Sequence, residues 1–339
     1  MFMKRRQFVR YMAMFFLTLT SFGFSEDAAA ASEGIEVLAT TFPIHQITQN
    51  VIQGRDNVNL ELMLPAQLGC PHDYALTPQD MQRLSKADIL VINGLGMEEF
   101  LDDVKMTNPG LKIIDSSAGI RDILQYADVE GQGNGRNEGD HGRGHHEGHD
   151  HEGEHAHGHG HGHVHSGANP HLFASPRMAA ILAVNIAKGL AEADPAGAET
   201  YHRNARAYAL KMNSLADDFS ALGKRLKNNR IVTQHGVFDY LARDMGLKVV
   251  AVIQAHAGQD PSAARMLEII ATAKREKAGA VFTEPQYPEK TGRAIASEAG
   301  IPTATLDPVA TGPDNAPADY YETVMRKNLK IIEQTLGVK

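Results

Sequence analysis

The chain has 339 residues, 42% of them hydrophobic and 22% charged, with a formal net charge of −8. That is the balance of an ordinary globular protein, long enough for two domains of common size. The acidic excess, with no basic block beyond the first ten residues, argues against a nucleic-acid partner.

Residues 1–31 read as an export signal. "MFMKRRQFVR" is basic, and Tyr11–Phe24 is an apolar run of 14 residues, short of the roughly 20 that a spanning helix needs. The small residues around Ala30 and Ala31 suit a signal-peptidase site, and Arg5-Arg6 followed by Phe8-Val9-Arg10 resembles a twin-arginine signal. No cysteine lies near the cleavage region, which argues against a lipid anchor there. The expected destination is a bacterial periplasm. Cys70 is the only cysteine, so no internal disulfide can form and packing must hold the core.

From Ile35 strands and helices alternate. "IEVLATTF" reads as a buried strand and "PIHQITQNVIQG" as a helix closed by Gly54. "VNLELML" is a strand. "TPQDMQRLSKA" opens a helix, with Thr77 as N-cap, Pro78 at the first helical position and Asp80 in the first turn. "ADILVING", "MEEFLDDVKM" and "LKIIDSS" continue as strand, helix and strand. Such a series implies a parallel sheet covered by helices. Residues 128–167 then contain almost no large apolar side chains, and are expected to form a disordered loop.

Helices follow. "SPRMAAILAVNIAKGLAEAD" repeats the Ser-Pro start, and after Asp194-Pro195 comes a proline-free run of roughly 30 residues, or about 45 Å of helix. A second series begins at Arg230. Its strands are "RIVTQ", "KVVAVIQ", "AGAVFTE" and "PTATLD". Its helices are "VFDYLARDMG", "PSAARMLEIIATAKREK" capped by Asp260, "EKTGRAIASEAG" and "ADYYETVMRKNLKIIEQTLG". The expected fold is α/β: two (β/α) lobes with parallel sheets, joined by one long rigid helix. The lobes are placed at 32–194 and 229–339 and the joining helix at 195–228.

Ligands of open α/β sheets bind beyond the carboxyl ends of strands. That rule selects His235 after "RIVTQ", Asp307 at the end of "PTATL", His72 in the loop after "VNLELML" and His171 in "NPHLFASP". Taken singly, a histidine or an Asp-Pro at a strand end is ordinarily structural. Facing one cleft, the four would offer three imidazoles and a carboxylate, a donor set that suits a divalent transition metal.

The stretches "TFPI" (41–44), "PHDYALTPQDMQRLSKADILVINGLGMEEFL" (71–101), "NPHLFASP" (169–176), "VTQHGVFDYLAR" (232–243), "EPQYPEKTGRAIASEAG" (284–300) and "TLDPVATG" (305–312) carry a resemblance over nearly the whole mature chain. It resembles the cluster A-I, ZnuA/TroA-like solute-binding proteins of zinc- and manganese-type ABC transporters. The resemblance implies two lobes bridged by a long helix with the metal between them. It assigns ligand roles to His72, His171, His235 and Asp307. Some zinc members place a glutamate just before the first ligand histidine, where this chain has Pro71, which leaves Asp307 or water as fourth ligand. Zinc members often carry a disulfide in the C-terminal lobe as well, for which this chain has no cysteines. Cys70 reads as a small residue packed under its loop. His45, His202 and His256 are not expected to be ligands.

Eleven of the 17 histidines fall in one stretch: His141, His145, His146, His149, His151, His155, His157, His159, His161, His163 and His165. Alternating glycines leave the backbone free for neighbouring imidazoles to converge on one ion. The cost of ordering such a chain predicts several weak, exchanging sites rather than one tight one. In the family resembled, a histidine-rich loop here marks zinc-directed members.

The expected function is therefore high-affinity capture of Zn2+, bound as transported ligand, by a monomer. The ion would then pass to an ABC transporter permease in the inner membrane with its ATPase, the tract acting as accessory scavenger or sensor. Uptake of manganese, iron or nickel on the same fold is the alternative. An enzyme is not expected: a metal-dependent hydrolase needs an open coordination position and a general base, and no H-E-x-x-H motif is present.

Overall fold

A computed structural model describes residues 34–69, 71, 74–126, 167–254 and 258–339. The expected signal segment 1–31, Cys70, His72, His256 and the histidine-rich tract from His141 to His165 lie outside them.

The strands of the described residues form two parallel sheets of matching order. In the first, β1 (Ile35–Ala39), β2 (Val58–Leu62), β3 (Ile89–Ile92) and β4 (Lys112–Asp115) pair as β2-β1-β3-β4. In the second, β5 (Arg230–Thr233), β6 (Lys248–Val252), β7 (Ala280–Thr283) and β8 (Thr303–Thr305) pair as β6-β5-β7-β8. The interior strands β3 and β7 are buried along their whole length, as strands covered on both faces must be; hence the unbroken apolar runs "ILVI" and "AVFT". Several strands stop one to three residues before the sequence pattern suggests. β1 ends at Ala39 rather than Phe42, and β8 at Thr305 rather than Asp307, because the following residues leave the ladder for the loops at the sheet's carboxyl edge.

The first lobe carries α1 (Phe42–Val51), α2 (Pro78–Lys86) and α3 (Leu101–Thr107). α2 starts at a full capping box: the Thr77 hydroxyl accepts from the Asp80 amide at 3.2 Å, and the Asp80 carboxylate accepts from the Thr77 amide at 2.9 Å. α3 begins at Leu101, not at Met97 as its sequence suggests. Glu98 explains the delay. Its buried carboxylate accepts from the amides of Asn93 at 2.7 Å and Gly94 at 3.0 Å and from the Thr40 hydroxyl at 2.6 Å, so residues 93–100 form a carboxylate-centred turn instead of a helix.

α4 (Pro176–Ala193) leads into α5 (Ala198–Arg225), 28 residues or about 42 Å long. α5 buries Tyr201, Ala205, Tyr208, Met212, Leu215, Phe219 and Leu222, alternately four and three residues apart, so they line one face. That face packs on α4 and meets α1 of the first lobe, together with α6 (Asp239–Met245) and α9 (Tyr320–Leu336) of the second. One apolar cluster therefore runs from β1 and α4 through α5 to α6 and α9. The approach of α5 to the end of α6 is close enough that a Cβ at Gly223 would overlap the Met245 carbonyl oxygen.

α7 (Ala263–Arg275) and α8 (Lys290–Ala299) complete the second lobe. The expected cap of α7 at Asp260 is wrong. Ser262, extended at φ −62° and ψ 159°, caps it instead by accepting from the Arg265 amide at 3.2 Å. Asp260 accepts from the Thr291 hydroxyl at 3.3 Å. A hydroxyl next to the first helical residue reaches the free amides; a carboxylate ahead of Pro261 does not.

Candidate metal centre

His171 sits between Pro170 and a single 3₁₀ turn, Leu172–Ala174, whose next residue Ser175 caps α4. The side chain is fully buried. Its Nδ1 lies 2.9 Å from Oδ1 of Asn169 and 3.2 Å from the Tyr126 hydroxyl, and its backbone amide donates to the same Oδ1 at 3.0 Å. The Asn169 amide cannot be turned round. Its Nδ2 donates to the Gly236 carbonyl at 2.8 Å and to Asp239 Oδ2 at 3.0 Å, so Oδ1 must be the acceptor facing His171. Nδ1 of His171 is then the protonated nitrogen, and Nε2 carries the lone pair. Asn93 holds the loop from the other side, donating to the Pro170 carbonyl at 2.9 Å.

His235 lies two residues past the end of β5 and is 3% exposed. Its Nδ1 is 2.6 Å from Oε1 of Glu284, which is itself fully buried at the carboxyl end of β7. Oε2 of Glu284 accepts from Gln286 at 2.6 Å. A carboxylate at Nδ1 again sets the tautomer and presents the lone pair at Nε2. Tyr287 packs edge-on to this ring, with centroids 5.8 Å apart.

The two imidazoles meet. Their centroids are 5.0 Å apart and their planes stand at 83°. Two histidines bound through Nε2 to one tetrahedral ion, each at ~2.0–2.1 Å, have centroids about 5 Å apart. The spacing fits two ligands of one ion, and equally an edge-to-face ring contact.

Asp307 stands two residues past β8. Its backbone is gripped by Asn328 of α9, which accepts from the 307 amide at 3.1 Å and donates to the 307 carbonyl at 2.6 Å, while Oδ1 accepts from Val309 at 2.8 Å. Burial raises its carboxyl above the usual range; the Val309 amide and Lys327 oppose this and Glu284 adds to it. Pro71, beside His72 in the chain, lines a small gap with Phe173 and Ala310, which lie two residues from His171 and three from Asp307. Among the described residues no three His, Cys, Asp or Glu side chains gather as an ion's ligands would.

Other histidines stand elsewhere. His45 is on α1, half-buried, with its pKa lowered by burial; His202 is exposed on α5. Asp239 is pushed up to about 6 by burial, against the opposing hydrogen bond from Asn169. Sequence reasoning missed Glu284, Asn169 and Tyr126. The strand-end rule reaches Glu284, which directly follows β7. Asn169 opens the quoted stretch "NPHLFASP", but nothing there shows its role, and nothing in the sequence marks Tyr126.

Two parallel-sheet lobes bridged by a long helix define a solute-binding protein. The chain belongs to the family of the periplasmic zinc-uptake complex component A, matched over residues 37–335. It is 28% identical over 334 residues to the high-affinity zinc uptake system protein ZnuA of Bacillus subtilis, covering 96% of each chain. It is 29% identical over 306 residues to the zinc-binding protein AdcA of Streptococcus pyogenes; this covers 90% of the chain but only 56% of that relative's length. A solved ZnuA deletion mutant with zinc bound superposes with a TM-score of 0.67 at 27% identity, covering 90% of this chain and 99% of that one.

Proposed function

We propose that the chain captures zinc in the periplasm with His171, His235, His72 and Asp307 as ligands, and delivers it as a monomer to an ABC permease driven by an ATPase. The observation that carries this reading is the buried pair His171–His235, perpendicular at 5.0 Å with both rings set to present Nε2. Family membership supports zinc as the cargo, and so does chemistry: imidazole donors bind zinc above manganese.

Residues 1–31 act as the export signal, by the twin-arginine or the general route. The histidines from His141 to His165 serve as weak accessory sites that concentrate the ion.

Competitive zinc titration of the mature protein tests the reading. One tight site is expected, retained when residues 136–165 are deleted and lost in His171→Ala and His235→Ala. A tight site that survives both substitutions would rule the ligand set out.

A further inference from the structure

The carboxyl of Glu284 is fully buried, yet among the described residues no lysine or arginine pairs with it. Its side-chain partners are Nδ1 of His235 at 2.6 Å and the neutral amide of Gln286 at 2.6 Å. A buried carboxylate without a cation is unfavourable, because the solvation it gives up is not returned. The complementary charge has one natural place, across the imidazole. A cation at Nε2 of His235 polarises the ring, strengthens the Nδ1–H bond to Glu284 and offsets the buried charge.

His171 differs. Its Nδ1 faces the neutral oxygen of Asn169, whose amide is committed to Gly236 and Asp239. The two candidate ligands therefore have unequal support: one backed by a carboxylate, the other by an amide. A carboxylate acceptor makes the opposite nitrogen the more basic donor.

We propose that Glu284 is a positioning residue that makes His235 the stronger ligand of the pair, by holding its Nδ1–H tautomer and supplying a buried negative charge that a divalent cation completes. This rests on the reading of His235 as a ligand. The ion is held by the two imidazoles unequally, and a large share of the affinity resides in a group that does not touch it.

Glu284→Gln tests the proposal, since glutamine keeps the shape and an acceptor oxygen but removes the charge, and Gln286 can turn its own amide to suit. Wild type, Glu284→Gln and His235→Ala, each as the full mature chain, are compared by zinc competition, thermal unfolding with and without zinc, and the visible spectrum of the Co2+-loaded protein. Glu284→Gln is expected to bind zinc about 10–100-fold more weakly. Its zinc-free form should melt higher than wild type, its zinc-induced shift should be smaller, and its cobalt bands should keep the wild-type positions, because the ligands are unchanged. A group with only a structural role would lower the zinc-free melting point instead. An unchanged zinc affinity in Glu284→Gln, with affinity lost in His235→Ala, overturns the proposal and leaves the ligand reading standing. Wild-type binding in His235→Ala overturns both. Should Glu284→Gln not fold, Glu284→Asp keeps the charge at a shorter reach and is expected to bind zinc more tightly than Glu284→Ala; the reverse order overturns the proposal as well.

Discussion

Asn169 donates its side-chain amide to the carbonyl of Gly236 at 2.8 Å, and so fastens the residue after one candidate ligand to the residue two before the other. The same side chain accepts from both nitrogens that orient His171. Truncation to alanine takes a partner from four buried groups, the amide and Nδ1 of His171, the Gly236 carbonyl and the Asp239 carboxyl, at about 1–3 kcal/mol for each that is left with none and that water cannot reach. Asn169→Ala is expected to lose stability in urea unfolding and, with the His171 ring held at Nδ1 by the Tyr126 hydroxyl alone, to weaken zinc binding about 10–100-fold. Retention of wild-type zinc affinity in a destabilised variant would show that the amide only fastens the loop.

Asp239 gives the zinc-free protein a pH dependence of defined sign. Burial puts its folded pKa at about 6 against 3.8 for the free group. The folded state therefore holds this proton more tightly than the unfolded state does. The resulting stability is fully present below about pH 4 and is lost as pH rises through 6, by at most about 3 kcal/mol. Asp239→Asn keeps an oxygen to accept from Asn169 and has no proton to lose. The variant should be the more stable protein at pH 7, and the difference should shrink toward zero near pH 4. Urea unfolding of both proteins across that range measures it; a difference independent of pH would mean that the carboxyl is not perturbed in the fold.

Much of the architecture is legible because local signals and packing agree. Thr77-Pro78 and Ser175-Pro176 start helices where a capping hydroxyl precedes a residue with its φ already set. The apolar runs of β3 and β7 read as interior strands because they are interior. What failed was decided by contacts distant in sequence or by competing hydrogen bonds. Glu98 keeps residues 97–100 out of α3 by turning its carboxylate back to the amides of Asn93 and Gly94. Asn169 takes its role from Gly236 and Asp239, 67 and 70 residues away, and no spacing rule carries that far. The strand-end rule placed His235 and His171 near one another but said nothing of the 5.0 Å and 83° between their rings.

Phe219 is fully buried on α5 in the cluster shared by both lobes. Phe219→Ala should cost about 3–5 kcal/mol through lost burial and the cavity left behind. The effect should fall on the whole fold, since the cluster continues from β1 to α9 without a break. Far-ultraviolet circular dichroism and tyrosine fluorescence should report one coincident transition, shifted to lower denaturant. Two separated transitions would mean that α5 does not couple the lobes.

Asp80 offers the last test, on the segment that leads to His72. Its carboxylate accepts from the Thr77 amide and hydroxyl and from the Tyr74 hydroxyl at 2.8 Å. Burial alone would raise its pKa, but these hydrogen bonds overcome it and hold the carboxyl below its ordinary value. Its stabilising contribution is thus present at neutral pH and is lost as pH falls through the folded pKa. Asp80→Ala removes half of the capping box and frees Tyr74, two residues after His72, at about 1–2 kcal/mol of stability. If His72 is a ligand, that loss also loosens its approach, and zinc should leave the variant faster while His171 and His235 stay in place. Stopped-flow chelator competition reads the release rate directly. Faster release with an unchanged cobalt spectrum is the expected result, whereas wild-type release from a measurably destabilised variant would separate this segment from the ion.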